Sequence, residues 1–294
     1  ESRIYAQYPG AEVFEVKDYA LNVSYDPEKM NVWGITTELV KPDAYPIKTY
    51  IDYELDKGNK EQEEIVDPLT PVLEYFGSLK PGEQAWIQIM IQAHRKEGFQ
   101  DARLFPKPDW KEGVKREIKK IIEEESFVKP GKPGKPGVDK PPMLITFLTA
   151  TQNQTIEAIE RNAGKLAYDT MIRIVYTAPL EVYDKMKGLG LVGSTRQFGS
   201  KNLNGIKPKW FAGIDYPWGD FRDIRKRRNQ RMLLDAYKRR SFFNVPYKHL
   251  NGKPYILTTE ELATIFHFPG AVATTPTLTR VPSKKAEAPA NLPV

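Results

Sequence analysis

The sequence predicts an α+β fold: two ferredoxin-like halves of βαβα order, a Lys-Pro-Gly linker between them, and a C-terminal helix followed by an extended tail. Two observations lead to this class. Strand-type alternation and helix-type spacing follow one another in both parts of the chain. Between Lys129 and Gly137 the tripeptide Lys-Pro-Gly occurs three times, and its prolines exclude helix and central strand. The predicted units are residues 1–127, the linker 128–142, residues 143–270 and the tail 271–294. A single α+β domain with an excursion at the linker is the alternative.

The first half contains one strongly marked helix and one strongly marked strand. Asp67-Pro68 is a helix-start signal, and the apolar residues from Leu69 to Phe76 recur at helical spacing. Isoleucines then alternate with other residues over 85–92, as in a strand with one buried face. Similar arguments predict a helix at 2–8, a strand at 47–55 and a helix at 109–125.

The second half repeats the order of elements. Strands are predicted at 143–149 and 171–177, a helix at 156–166, and a short helix from Pro179 to Gly188. The segment from 188 to 219 is glycine-rich and is predicted to be an irregular loop or hairpin.

The end of the second half carries a capping box. Thr258 precedes Glu261 by three residues, and Leu262, Ile265 and Phe266 form the apolar face of the helix that follows. The tail after this helix has four prolines and few large apolar residues, and we expect it to be extended.

Positive charge is concentrated in one segment. The formal net charge of the chain is +6, yet residues 222–240 alone hold nine basic and two acidic residues. Such a basic helix can dock on a phosphate backbone, an anionic lipid surface or an acidic protein face. A solvated helix that packs through Leu233, Leu234 and Tyr237 explains the same pattern. The candidate residues for nucleic-acid or partner contact are Arg222, Arg225, Lys226, Arg227, Arg228, Arg231, Lys238, Arg239 and Arg240.

Aromatic residues precede the basic segment. Stacking aromatics beside basic residues are typical of single-stranded nucleic-acid binding, and a small core under a loop is the alternative. The residues concerned are Trp210, Phe211, Tyr216, Trp218 and Phe221.

Several kinds of active site are excluded or disfavoured. The chain has no cysteine, which removes disulfides, thiolate metal sites and cysteine nucleophiles. No Gly-Lys-Ser or Gly-Lys-Thr occurs, and the Gly-x-Gly-x-x-Gly spacing at 188–193 does not follow a strand. His267, between two phenylalanines, fits a packed residue better than a base or a ligand. We therefore predict no catalytic residue, no cofactor, no metal site and no enzymatic activity.

Four groups of residues together resemble one protein family. They are residues 2–12, residues 45–50, residues 67–89, and a C-terminal group made of residues 256–270 and the tail residues 283–289. They resemble a family of membrane-anchored proteins from candidate-phyla-radiation bacteria, which are encoded beside conjugation or type IV secretion ATPases. The last region also resembles the stretch that precedes the motor domain in HerA-like and conjugative coupling ATPases. No motor domain follows here, and the family's hydrophobic N-terminal segments are missing from this chain.

The resemblance implies a non-enzymatic scaffold or adaptor that acts with a type IV secretion or DNA-translocation ATPase. The expected place is the cytoplasmic face of a bacterial membrane, with membrane attachment through segments outside this chain. The expected partners are the ATPase or another subunit of the machinery, a further copy of the chain, and DNA. The alternative function is a nucleic-acid-binding module that uses the basic helix at 222–240.

Overall fold

The computed structural model describes residues 2–8, 13, 15–55, 67–96, 109–124, 126–128, 144–146, 148–212 and 219–268. Helices and strands alternate along this part of the chain. The helices are α1 (Ser2–Gln7), α2 (Thr70–Gly77), α3 (Trp110–Glu124), α4 (Ala150–Ala163), α5 (Lys185–Ser194), α6 (Ile224–Lys238) and α7 (Thr259–Ile265). The strands are β1 (Met30–Leu39), β2 (Gln84–Ala93), β3 (Ser126–Val128), β4 (Leu144–Thr146), β5 (Ala167–Pro179), β6 (Ile206–Phe211) and β7 (Tyr255–Thr258).

Five of the strands form one antiparallel sheet: four lie in the order β2-β5-β1-β6, and β7 pairs with β5. The long strand β5 lies at the centre of this sheet. Along one side of β5, strand β2 is paired over the whole length of β2. On the other side, β1 pairs with residues 173–179 of β5 and β7 pairs with residues 167–170. Strands β3 and β4 form a separate two-stranded ladder.

The α+β class is confirmed, but the two ferredoxin-like halves are not. Strands β1 and β2 come from the predicted first half, and both pair with β5 from the second half. The two halves therefore share one sheet. Residues 129–143, which hold the predicted Lys-Pro-Gly linker, and the tail 271–294 lie outside the described residues, so these two predictions stay untested.

Helices cover both faces of the sheet. On one face the side chains of β1, β5 and β7 pack against α2, α5 and α7. The fully or nearly fully buried residues of this first core cluster include Trp33, Ile35, Val72, Ile172, Ile174, Tyr176, Leu191, Leu257 and Ile265. On the opposite face α6 packs on Val32, Trp86 and Val175 through Leu233, Leu234 and Tyr237. Helices α3 and α4 pack together beside β7, around Trp110 and Ile159.

Helix α5 corrects the predicted helix between Pro179 and Gly188. It begins after Asp184, whose side chain accepts the N–H of Met186 at 2.8 Å, and it continues past Gly188. A Cβ at Gly188 would lie 2.5 Å from ring carbons of Trp33. The glycine therefore allows close packing of α5 on β1 and does not end the helix.

The predicted capping box of α7 is confirmed and belongs to a buried polar network. Glu261 is 2% exposed. One oxygen of its carboxyl group accepts the backbone N–H of Ile47 at 2.9 Å. The other accepts the N–H of Thr258 at 2.8 Å and the Asn162 side-chain amide at 3.1 Å. This carboxyl group thus ties together α7, α4 and the segment after β1.

Burial gives this network a pH dependence. It raises the pKa of Glu261 to about 7 from 4.5, against the opposing effect of its hydrogen bonds. Between these two pH values the folded chain keeps a proton that the unfolded chain releases, so stability falls as the pH rises through this window. We expect the free energy of unfolding to be about 2 kcal/mol lower at pH 7.5 than at pH 5 because of this group. Urea unfolding at a series of pH values measures it.

The variant Glu261→Gln is the control for that measurement, because it removes the titrating proton and keeps the side-chain volume. Its stability should be lower at every pH, but its dependence on pH should be weaker. The carboxyl group of the half-buried Asp43, whose pKa is raised to about 6 by partial burial, contributes in the same direction in both proteins. Equal slopes for the two proteins would contradict the assignment to Glu261.

Candidate functional site

The basic segment forms a helix that is firmly held on the sheet. Leu233, Leu234 and Tyr237 of α6 are each at most 3% exposed. The ring of Tyr237 stacks on Trp86 at 4.8 Å between centroids. On the same side, Gln230 donates to the backbone oxygen of Val32 at 2.6 Å. One side of the helix is therefore core, and the opposite side faces solvent.

The start of α6 is fixed by a short acidic stretch. Asp220 accepts the backbone N–H groups of Arg225 at 2.8 Å and Lys226 at 2.7 Å. Asp223, the residue before the helix, has a positive φ of 57°, as does Arg222 at 52°. A carboxylate at the N-terminal end of a helix offsets both the unpaired N–H groups and the helix dipole. This is what allows a helix to begin with a run of basic residues.

The nine candidate residues divide into three groups of three. Towards the end of the helix, Arg239 pairs with Asp235 at 2.9 Å and Arg240 pairs with Asp18 at 2.8 Å. This second contact lowers the pKa of Asp18. Near the start, the half-buried Lys226 lies 3.9 Å from Asp223. The charges of these three residues are thus at least partly offset within the chain.

The second group is exposed to solvent near the start of the helix. Arg225, Arg227 and Arg228 are exposed and make no ion pair with any residue that the structure describes. Successive i,i+3 spacing places Arg225, Arg228 and Arg231 in one row along the helix. We call these residues, together with Arg227, the arginine row.

The third group contains Arg231, which is the last member of the row, and its neighbours Arg222 and Lys238. The guanidinium of Arg231 lies 6.0 Å from the ring centre of Tyr25, and that of Arg222 lies 5.1 Å from the ring of Phe221. Lys238, near the end of the helix, is half-buried and has no ion-pair partner in the described part of the chain. The stacked arginines keep their charge available, because a ring face does not neutralise it.

The aromatic residues before α6 have different environments. Trp210 and Phe211 lie on β6 and are half-buried against the second and first core clusters. These two residues support the interpretation that the aromatic residues form part of a core. Phe221 is 74% exposed beside the start of α6. Tyr216 and Trp218 lie outside the described residues.

A buried arginine beneath the end of α6 was not foreseen as part of this region. Arg173 on β5 is fully buried and has no carboxylate partner among the described residues. Its guanidinium donates to Gln88 at 2.8 Å and to the backbone oxygen of Ser241 at 3.1 Å. Burial lowers its pKa to about 10. In the sequence, Arg173 interrupts the apolar pattern at 171–177, and a basic residue in such a pattern indicates a buried arginine.

Two of the three histidines are paired with carboxylates. The Nδ1 atom of His94 lies 2.7 Å from Asp169, and the Nε2 atom of His267 lies 3.0 Å from Asp67. Both rings are thus held by carboxylates. The described residues include no group of three histidine or acidic side chains that could hold a metal ion.

Comparisons with known proteins give no relative. Neither a protein-family model, nor a curated protein, nor a solved structure matches this chain. No helix in the described part of the chain is long and apolar enough to span a lipid bilayer. The feature of the described chain that bears on function is therefore the exposed side of α6.

Proposed function

We propose that this chain is a non-enzymatic adaptor that binds nucleic acid through the arginine row of α6. The observation that carries the proposal is an exposed row of arginines that make no ion pair with any residue that the structure describes, on a helix whose other side is buried in the core. Within the family resemblance, the nucleic acid is DNA handled by a type IV secretion or translocation ATPase. The place is the cytoplasmic face of the membrane.

The chemistry of the row favours phosphate. A guanidinium group offers two parallel N–H donors that match the oxygens of a phosphate. The guanidinium groups project from a helix that is held rigidly on the sheet. Binding to phosphate therefore costs the conformational freedom of the arginine side chains and little more. Contacts of this type read the phosphate backbone and not the base sequence. We therefore expect binding that depends strongly on salt and weakly on sequence.

A second candidate is an anionic membrane surface. Phe221 is 74% exposed and Ile224 is 60% exposed at the start of α6, beside Arg222 and Arg225. Apolar side chains next to basic ones are typical of helices that lie on anionic lipid. Nucleic acid is preferred because the arginine row continues beyond these two apolar residues to Arg231.

Charge reversal tests the proposal. In the variant Arg225→Glu, Arg227→Glu, Arg228→Glu, we expect the affinity for a mixed-sequence DNA duplex to be lost at low salt. For the wild-type chain, log affinity should fall linearly with log salt, with a slope of about −0.9 for each phosphate contacted. Fluorescence anisotropy of labelled duplex over a series of salt concentrations measures both.

A matched control makes the test specific. Lys111, Lys115 and Arg116 are exposed on α3, so reversing them changes the net charge by the same amount at another place. This control should keep most of the DNA affinity. Equal losses in both variants, or no binding by the wild-type chain, would contradict the proposal. Binding to phosphatidylserine vesicles without binding to DNA would favour the membrane instead.

A further inference from the structure

The two edges of the main sheet are built differently. Edge strand β6 carries Pro208 between Lys207 and Lys209, and its register against β1 shifts between Thr36 and Thr37. Proline, lysine and an irregular register are the features by which proteins prevent other strands from adding to a sheet edge. The β6 edge is thus protected.

Edge strand β2 has none of these features. Its sequence from Gln84 to Ala93 contains no charged residue and no proline. Its register against β5 is continuous over all ten residues. Among the described residues β2 has a strand on one side only. In the described part of the chain, a row of backbone N–H and C=O groups is therefore available on the other side of β2 for another strand.

The residues beside this edge are apolar. Along β2, an open groove of about 400 Å³ lies between its isoleucines and α7. Ile91 is 51% exposed and Phe266 is 62% exposed. The residues that line the groove are Ile87, Ile89, Ile91, Leu262, Ala263 and Phe266. An incoming strand with apolar residues would remove this surface from water.

The sequence of β2 is complementary to itself when it is read in the opposite direction. If two copies pair antiparallel about Gln88, Ile87 faces Ile89 and Trp86 faces Met90. The exposed Ile91 then lies beside the small Ala85, and Gln84 lies beside Gln92. Slipping the pairing by one step to the next symmetric register instead places glutamine opposite tryptophan or methionine. Apolar residues face apolar residues and glutamines face glutamines at all nine positions, which favours the register about Gln88.

We propose that β2 is a dimerisation edge, at which two copies of this chain pair antiparallel with Gln88 of each copy at the two-fold axis. The side chain of Gln88 does not obstruct the pairing, because its amide is bonded inward to Arg173 and to the backbone oxygen of Tyr237. The two sheets join into one, and the axis stands perpendicular to it. Both copies of α6 consequently lie on the same face of the dimer. The proposal does not depend on what α6 binds.

Sedimentation velocity of the wild-type and variant chains tests the dimer. The wild-type chain should be dimeric. Ile91→Lys should weaken the dimer by about 100-fold, because each dimer would bury two unpaired ammonium groups. The control Met186→Lys makes the same kind of change at a residue of α5 that is 68% exposed, and it should leave the dimer intact. A monomeric wild-type chain, or a dimer that Ile91→Lys does not weaken, would overturn the proposal.

Disulfide crosslinking tests the register independently. The chain has no cysteine of its own, so introduced thiols are the only ones present. The double variant Ala85→Cys, Ile91→Cys should form a covalent dimer on mild oxidation, and neither single variant should. A second double variant, Ala85→Cys, Ile89→Cys, should crosslink only if the pairing is slipped by one step. Crosslinking of this second double variant in place of the first would overturn the register about Gln88.

Discussion

Replacement of Glu261 by alanine is expected to lower the free energy of unfolding by about 4 kcal/mol or more. The substitution removes the acceptor for three donors at once: the N–H groups of Ile47 and Thr258 and the side-chain amide of Asn162. An unsatisfied buried donor costs about 1–3 kcal/mol, and the surroundings of Glu261 are sealed from water. Urea unfolding followed by circular dichroism at 222 nm measures the loss.

The neighbouring residue Glu260 provides the control. It lies on the same helix, and its carboxyl group pairs at 3.4 Å with Arg161 and at 3.4 Å with Lys165. Both cations are partly exposed, so water can solvate them when the carboxyl group is removed. Glu260→Ala should therefore cost clearly less than Glu261→Ala. Equal costs would show that the loss comes from helix α7 in general and not from the buried network.

Local signals predicted much of the secondary structure. Helices α1, α2, α3, α4 and α7 and strands β2 and β5 lie close to where spacing and capping residues placed them. The signals were short-range: an amphipathic stripe, a capping box, or alternation with one buried face. The basic segment forms a helix as expected, and its apolar residues pack on the core.

Strand β1 was missed for a physical reason. It is buried on both faces, so its sequence does not alternate between apolar and polar residues. Gly34 and two threonines also interrupt its apolar pattern. Strand β7 has only four residues, too few for any periodicity. Because β1 was missed, the pairing of both predicted halves in one sheet was not foreseeable.

The predicted strand at 47–55 was wrong, because its backbone finds other partners. The carboxyl group of Glu261 accepts the N–H of Ile47, and the backbone oxygen of Phe198 accepts the N–H of Lys48. The side chain of Asp52 accepts the N–H of Thr49 at 2.8 Å, which forms a local turn. The residues alternate as they would in a strand, but these backbone N–H groups bond to the acceptors just named and not to a neighbouring strand.

The candidate site was predictable in position but not in detail. Sequence composition identified all nine basic residues of the segment. It could not show that Arg240 pairs with Asp18, since these residues are far apart in the chain. Nor could it show that Phe266, predicted to lie on the apolar face of α7, is 62% exposed beside β2. Pairing and exposure depend on the tertiary structure.

Replacement of Gly34 by alanine is expected to lower the free energy of unfolding by about 3 kcal/mol, since it overpacks the contact between α6 and the sheet. A Cβ at this position would lie 2.4 Å from a methyl carbon of Leu233 and 2.7 Å from the backbone oxygen of Ile174. The leucine side chain can move, but the oxygen belongs to the central strand and cannot.

The same substitution at Gly113 in α3 meets no atom within 4 Å and should instead raise stability by about 1 kcal/mol. Urea unfolding of both variants measures the two effects, and near-ultraviolet circular dichroism should change for Gly34→Ala alone, because α6 carries the tyrosine that stacks on Trp86. A Gly34→Ala variant as stable as the wild-type chain would show that α6 does not sit as closely on β1 as its packing here requires.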